Sequence, residues 1–188
     1  QMSETLDAYR FNEAAHTLYQ FIWHEFCDWY VEMAKPDIYN TSDAGAALQT
    51  RQVLVRVLKT ILEMLHPFMP FITEEIWQKL PGCSGSIMVE PFPELKSGDI
   101  DEKAEGDMEA VIQTVSAVRN IRSEMNVAPS ARPHLDIVCS DAETETLMSD
   151  QTEVIRSLSG TGSVKIHRQF SRPRAAAAAV TPKTEIFL

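Results

Sequence analysis

Residues 44–66 read AGAALQTRQVLVRVLKTILEMLH, and this stretch decides the fold class. Leu54, Leu58, Ile61 and Leu65 recur at helical spacing, and Val53, Val57 and Leu62 widen the apolar stripe. The polar positions Gln52, Arg56, Lys59 and Glu63 fall at steps of four, three and four, leaving one narrow wet face. A helix this apolar predicts neighbours on nearly every side, and therefore a bundle.

The flanking sequence supplies those neighbours. Upstream, Phe11, Ala15, Leu18, Ile22, Trp29 and Met33 predict a helix over residues 5–34, ended by Lys35-Pro36. Downstream, His66-Pro67-Phe68-Met69-Pro70 predicts a kinked connection. A short helix follows, with Thr73 as N-cap, Glu74 and Glu75 against its dipole, and Pro81-Gly82 as its stop. Residues 86–89 read as a short extended piece within a long connection, and 103–125 as a fourth helix on Met108, Val111, Val115, Val118 and Met125. After Pro129 the rhythm changes. Residues 134–139 alternate like a strand, 142–158 read as a helix ended by Gly160, and 163–167 and 183–188 read as further strands. The alanine run 175–179 fits a tolerant edge strand. The expectation is a mainly α chain: a helical bundle over 1–130, then a small α/β subdomain over 131–188. The last strand ends without a polar tail, which predicts chain beyond it.

The composition is that of a water-soluble domain: 188 residues, 44% hydrophobic and 23% charged. No run of about 18 apolar residues occurs, so no membrane span is predicted. Cys27, Cys83 and Cys139 are odd in number and far apart, which fits reduced thiols and a cytoplasmic location. The net charge of −10 argues against nucleic acid at first sight. Its distribution softens that: residues 94–109 alone hold seven acids and two lysines, a run that reads as a solvated linker face.

Catalytic patterns are lacking. His24, Cys27 and Asp28 could geometrically share a metal, but they lie in an aromatic helix, and no metal site is assigned. No nucleophile elbow, P-loop or G-x-G-x-x-G occurs, and Glu74-Glu75 reads as a dipole partner pair. No catalytic residue is assigned.

Four stretches carry a family resemblance: 11–32 (with Phe26-Cys27-Asp28-Trp29-Tyr30), 65–77 (Leu65-His66-Pro67-Phe68-Met69-Pro70 onward), 86–93, and 118–130 (with Arg119-Asn120-Ile121-Arg122-Ser123-Glu124). In this order they resemble the region after the catalytic domain of valyl-tRNA synthetases, which are class I aminoacyl-tRNA synthetases. The second stretch is shared with the leucine, isoleucine and methionine types; the first and fourth favour the valine type. The resemblance is strong over 6–139 and weak over 140–188. It implies an anticodon-binding helix bundle with tRNA of the valine type as partner. It also implies a parent enzyme that uses ATP, with its catalytic domain, editing domain and C-terminal arm outside this sequence. No cofactor is implied for these residues themselves. Two alternatives stand beside it: the same module of an isoleucyl- or leucyl-tRNA synthetase, and a helical protein-interaction module that binds no RNA.

Candidate RNA contacts follow. Tyr9, Arg10 and Asn12 open the first helix, where a bundle end could meet a tRNA loop. Arg51, Arg56 and Lys59 form a basic face on the second helix, for RNA or for solvent. Arg119 and Arg122 could grip phosphates, or serve structurally by bonding carbonyls at a helix C-terminus and pairing with Glu124 or another acid. Lys165 and Arg168, with Arg172 and Arg174, make a dense basic strip that is either a backbone contact or a charged strand edge. Trp23, Phe26, Trp29 and Tyr30 could stack on bases, with core packing the preferred reading.

Overall fold

The computed structural model describes residues 2–39, 43–94, 98, 100–171 and 176–188. The chain is mainly α with a small four-stranded sheet, and it divides into two compact units, residues 1–97 and 98–188. Compactness thus divides the chain earlier than the composition change near residue 130. The reason is the long helix Glu102–Glu124, which packs its buried face on the sheet that follows it.

In the first unit, α1 (Met2–Asp7) turns into α2 (Phe11–Gln20) through Tyr9, whose φ of 57° is left-handed. The Tyr9 amide donates to the Leu6 carbonyl (2.9 Å) and the Arg10 amide to that of Thr5 (2.8 Å), closing a Schellman turn. The helix expected over 5–34 is therefore broken near its start. From Phe21 to Val31 the backbone winds as a π-helix, and α3 (Glu32–Tyr39) continues from it. Pro36 lies inside α3 and does not end it. A proline gives up its own N–H but leaves later residues free to stay helical. The last turn is held by α4 (Ala44–Leu65): Thr50 Oγ1 donates to Asp37 Oδ2 (3.4 Å) and Arg51 Nη2 to the Ile38 carbonyl (3.2 Å).

Asp43 caps α4, accepting from the Ala46 amide at 2.9 Å. The helix meets α2, α3 and α5 (Pro70–Trp77) but is not enclosed, since Leu48 and Val53 are 56% and 46% exposed. α5 starts at Pro70 rather than at Thr73, because proline's fixed φ suits the first helical position. Thr73 is buried instead, donating to the Met69 carbonyl (2.8 Å), with His66 Nδ1 2.7 Å away. The expected extended piece at 86–89 is a 3-10 turn, Ile87–Val89, entered through Ser86, whose Oγ accepts from the Met88 amide (3.2 Å). Leu62, Trp77 and Ile87 form the heart of this unit, with Leu58, Ile76, Leu80 and Cys83 around them.

In the second unit, α6 (Glu102–Glu124) buries Ala110, Val111, Thr114, Val115, Val118 and Ile121. Met108 and Met125, expected in that stripe, are 38% and 62% exposed and lie outside it. The sheet has the order β2-β1-β4-β3, from β1 (His134–Cys139), β2 (Ser163–His167), β3 (Ala178–Val180) and β4 (Thr184–Phe187). β1 runs parallel to β2, with Ile137 opposite Ile166, and antiparallel to β4, with Ile137 opposite Ile186. Leu135, Ile137, Cys139 and Ile186 form the buried face, and burial pushes the Cys139 thiol up to about 11. The helix expected over 142–158 is two: α7 (Ala142–Asp150), capped by Asp141, and α8 (Thr152–Ser159), ended by Gly160 at φ 67°. β3 is an edge strand, as the alanine run suggested, although Ala175 lies outside the described residues. Among the described residues no helix is long and apolar enough to cross a membrane.

Candidate nucleic-acid interface

α4 places its basic residues along one groove of about 680 Å³, lined by Arg51, Arg56, Lys59, Thr60, Glu63 and Gly82 among others. Steps of five and three residues, from Arg51 to Arg56 to Lys59, keep these side chains on neighbouring helix turns, so one helix suffices to build a cationic wall. Each cation is held differently. Arg51 spends one guanidinium nitrogen on the C-terminal carbonyl of α3. Lys59 sets its ammonium 5.7 Å from the centroid of the buried Trp77 ring, a cation–π contact that fixes its direction. The Arg56 guanidinium is exposed and has no partner among the described residues. Glu63 is the one carboxylate among the described residues lining the groove; desolvation raises its pKa, Glu90 adds to the rise, and Lys59 opposes it. Three cations face one carboxylate on a chain of net charge −10. A groove of this sign and shape suits a phosphate backbone.

Tyr9, Arg10 and Asn12 do not line this groove. They form a separate exposed corner at the α1–α2 turn. Tyr9 is 80% exposed and meets Phe11 edge-on at 6.1 Å, while Arg10 pairs with Glu13 at 3.0 Å. The preferred core reading of the helix aromatics fails for Trp23, which is 53% exposed beside the exposed Tyr19, with ring centroids 6.3 Å apart. The i→i+5 winding of this segment is wider than an α-helix, so a stripe read at α-helical spacing drifts off the core. Phe26 and Tyr30 stack at 6.0 Å and are half-buried. His24 Nδ1 lies 3.3 Å from Asp28 Oδ2 on an exposed face.

In the second unit, Arg119 and Arg122 both donate to carbonyls. Arg119 Nε reaches Leu158 O at 3.0 Å. Arg122 Nη1 reaches Gly160 O at 2.7 Å, and its two terminal nitrogens reach Ala128 and Ala131 at 3.3 Å. Arg132, which the sequence reading did not single out, joins them beside one depression. Its signal is weak in sequence, because its neighbours there come from α8, some 25 residues on. Lys165 and Arg168 are exposed on and just after β2, an edge strand. Arg172 and Arg174 lie outside the described residues.

The chain is 45% identical to the valine–tRNA ligase of Geobacter sulfurreducens over 189 residues, covering 99% of this chain and 21% of that protein. It is 39% identical to the valine–tRNA ligase of Desulfotalea psychrophila over 184 residues, 98% of this chain and 21% of that protein. It is 38% identical to that of Enterococcus faecalis over 188 residues, 100% of this chain and 21% of that protein. The chain spans about a fifth of the length of these curated relatives. Neither a leucine- or isoleucine-type module nor a non-RNA interaction module is favoured by these likenesses. A family model described as the anticodon-binding domain of tRNA ligase matches residues 1–138, well over half of the sequence. The chain belongs to the family of anticodon-binding domains of tRNA ligases.

Proposed function

We propose that this chain is the tRNA-recognition region of a valine–tRNA ligase. The observation that carries the reading is the whole-chain likeness to valine–tRNA ligases at 38–45% identity. On this reading the bundle, residues 1–130, docks the anticodon stem-loop, and residues 131–188 form an accessory subdomain before a C-terminal arm. ATP and valine are handled by a catalytic domain elsewhere in a cytoplasmic parent enzyme. The groove on α4 offers Arg51, Arg56 and Lys59 to loop phosphates, which position the RNA without reading it. Exposed rings at Tyr9, Phe11, Tyr19 and Trp23 offer stacking platforms for splayed bases, and Asn12 can bond a base edge. Lys165 and Arg168 add a backbone contact.

The test is fluorescence anisotropy with two anticodon hairpins, one of valine type and one with its middle base changed. The valine-type hairpin should bind more tightly, by at least about fivefold if one base contact discriminates by 1–3 kcal/mol. Contacts from three cations to single-stranded phosphates should give a salt slope near −2 (about −0.7 each). Equal binding of both hairpins, or no binding at low salt, sinks the reading.

A further inference from the structure

The first unit carries an apolar patch that its own core does not use. Thr73 and Trp77, one turn apart, take the buried side of α5, which leaves Phe71 outside at 91% exposure, with Met69 and Ile72 about half exposed. The 3-10 turn repeats the arrangement. Ile87 is anchored with Leu62 and Trp77, while Met88 and Val89 stand 75% and 81% exposed. The two elements are tied together here: Glu74 Oε2 accepts from the Ser86 hydroxyl at 2.8 Å and from the Ile87 amide at 3.1 Å. Phe71 lies one turn before Glu74 on the same helix face, so the exposed apolar side chains stand around one fixed join. Polar residues at these positions would take nothing from the core. Large apolar ones held together in water mark a surface that something else covers.

The charges beside the patch decide what covers it. The charged residues of α5 are Glu74 and Glu75, Glu90 follows the 3-10 turn, and Lys79 is paired with Glu75 at 2.6 Å. Hydrogen bonds from Gln78 and Ser86 hold the Glu74 carboxyl below its ordinary range, so it stays ionised. An apolar patch bordered by carboxylates repels a phosphate backbone and suits a protein surface with an apolar centre and a Lys/Arg rim. This chain covers 21% of each relative, which leaves about four-fifths of such a protein to supply that surface in cis. A tethered surface acts at an effective concentration that a free partner does not reach.

We propose that this patch, centred on Phe71, Met88 and Val89, docks an apolar, basic-rimmed surface of the same polypeptide outside this chain. That the polypeptide is a valine–tRNA ligase rests on the reading above; the patch itself does not. Methionine oxidation reads the docking, because Met88 presents an accessible thioether. Dilute peroxide is applied, without tRNA, to this chain and to the whole parent protein, and Met88 sulfoxide is followed by peptide mass spectrometry. The urea-unfolded parent gives the fully accessible rate. Met88 should oxidise near that rate in this chain and at least about tenfold more slowly in the parent. Phe71→Ser/Val89→Ser should leave the urea midpoint of this chain unchanged, yet restore most of the Met88 oxidation in the parent. Glu90→Lys, which sets a cation against the basic rim, should speed oxidation in the parent about threefold.

Equal Met88 rates in chain and parent overturn the docking, as does protection that survives in the serine variant. Protection that appears only with tRNA assigns the patch to RNA, and protection lost on diluting the parent assigns it to a second copy; either result overturns the proposal. An unchanged rate in Glu90→Lys overturns the basic rim. Valine charging of tRNA by the parent is assayed in parallel. Its absence sinks the ligase reading and leaves the docking result standing.

Discussion

Replacing Arg122 by methionine should unfold the second unit far more readily than any other single arginine change. The side chain joins the end of α6 to the loop before β1, which follows it directly, and to the end of α8, 38 residues away. Its shortest bond, 2.7 Å to Gly160 O, is charge-assisted and contributes about 1.5–3 kcal/mol. The three bonds at 3.3 Å to Ala128 and Ala131 are long, and together add about 1 kcal/mol. Methionine fills similar space but leaves half-buried carbonyls without a donor, so the total loss is about 3 kcal/mol. For a chain of 188 residues that corresponds to a fall in melting temperature of about 6–12 °C, at 2–4 °C per kcal/mol. Arg119→Met is the control. Arg119 lies on the exposed side of the same helix and donates from Nε to Leu158 O at 3.0 Å; its replacement should cost about 1 kcal/mol. Urea unfolding followed by circular dichroism gives both values. If Arg122→Met lies within 1 kcal/mol of wild type, or costs no more than Arg119→Met, the clamp carries no special stability and the reasoning is wrong.

Three further perturbations test the interface. Glu63 has a raised pKa, so its contribution to stability is present below the ordinary carboxyl pKa and lost as pH rises through the folded value. Glu63→Gln should abolish that loss and strengthen hairpin binding about threefold at neutral pH, and unchanged affinity would disconnect the groove from RNA. Tyr9 holds a left-handed φ of 57° that costs a non-glycine residue about 1 kcal/mol. Tyr9→Gly should therefore raise stability by about that amount while weakening hairpin binding; a gain in both would make Tyr9 a bystander. Asp141 caps α7, and the Thr144 amide, then the Ser140 hydroxyl, lower its pKa to about 2. Its stabilisation is present above about pH 4 and lost as pH falls towards 2. Asp141→Asn should flatten the acid limb of a urea-midpoint profile over that range, and an unaltered limb would count against the assignment.

The parts of this fold legible in the sequence are those with local causes. The bounds of α4 follow from an unbroken stripe and an aspartate cap, and those of β1 from strict alternation. The end of α8 follows from Gly160, the residue type that a left-handed C-cap demands. What stayed hidden depends on non-local balance. Nothing in residues 21–31 announces π winding, and a tyrosine rather than a glycine occupies the left-handed turn after α1. Pro36 reads as a stop until Thr50 and Arg51 are seen holding the turn beyond it. The site divides the same way. Arg51, Arg56 and Lys59 could be grouped from spacing on one helix, whereas Arg132 joins Arg119 and Arg122 only after the chain has made two further helices. Family likeness, not spacing, pointed to RNA.

The sheet order β2-β1-β4-β3 carries a consequence for synthesis on the ribosome. Of the four strands of this sheet β4 is made last, yet it lies inside the sheet between β1 and β3. Its partner in β1 must therefore wait, half-paired, until the chain has been translated through Phe187 and that residue has cleared the exit tunnel. The first unit closes largely through helices adjacent in sequence and can be finished before then. During that interval β1 and the apolar face of α6 are the surfaces that a nascent-chain chaperone would meet. Ribosome stalling positioned before β4 should trap the second unit as a soft, protease-sensitive tail on an already folded bundle.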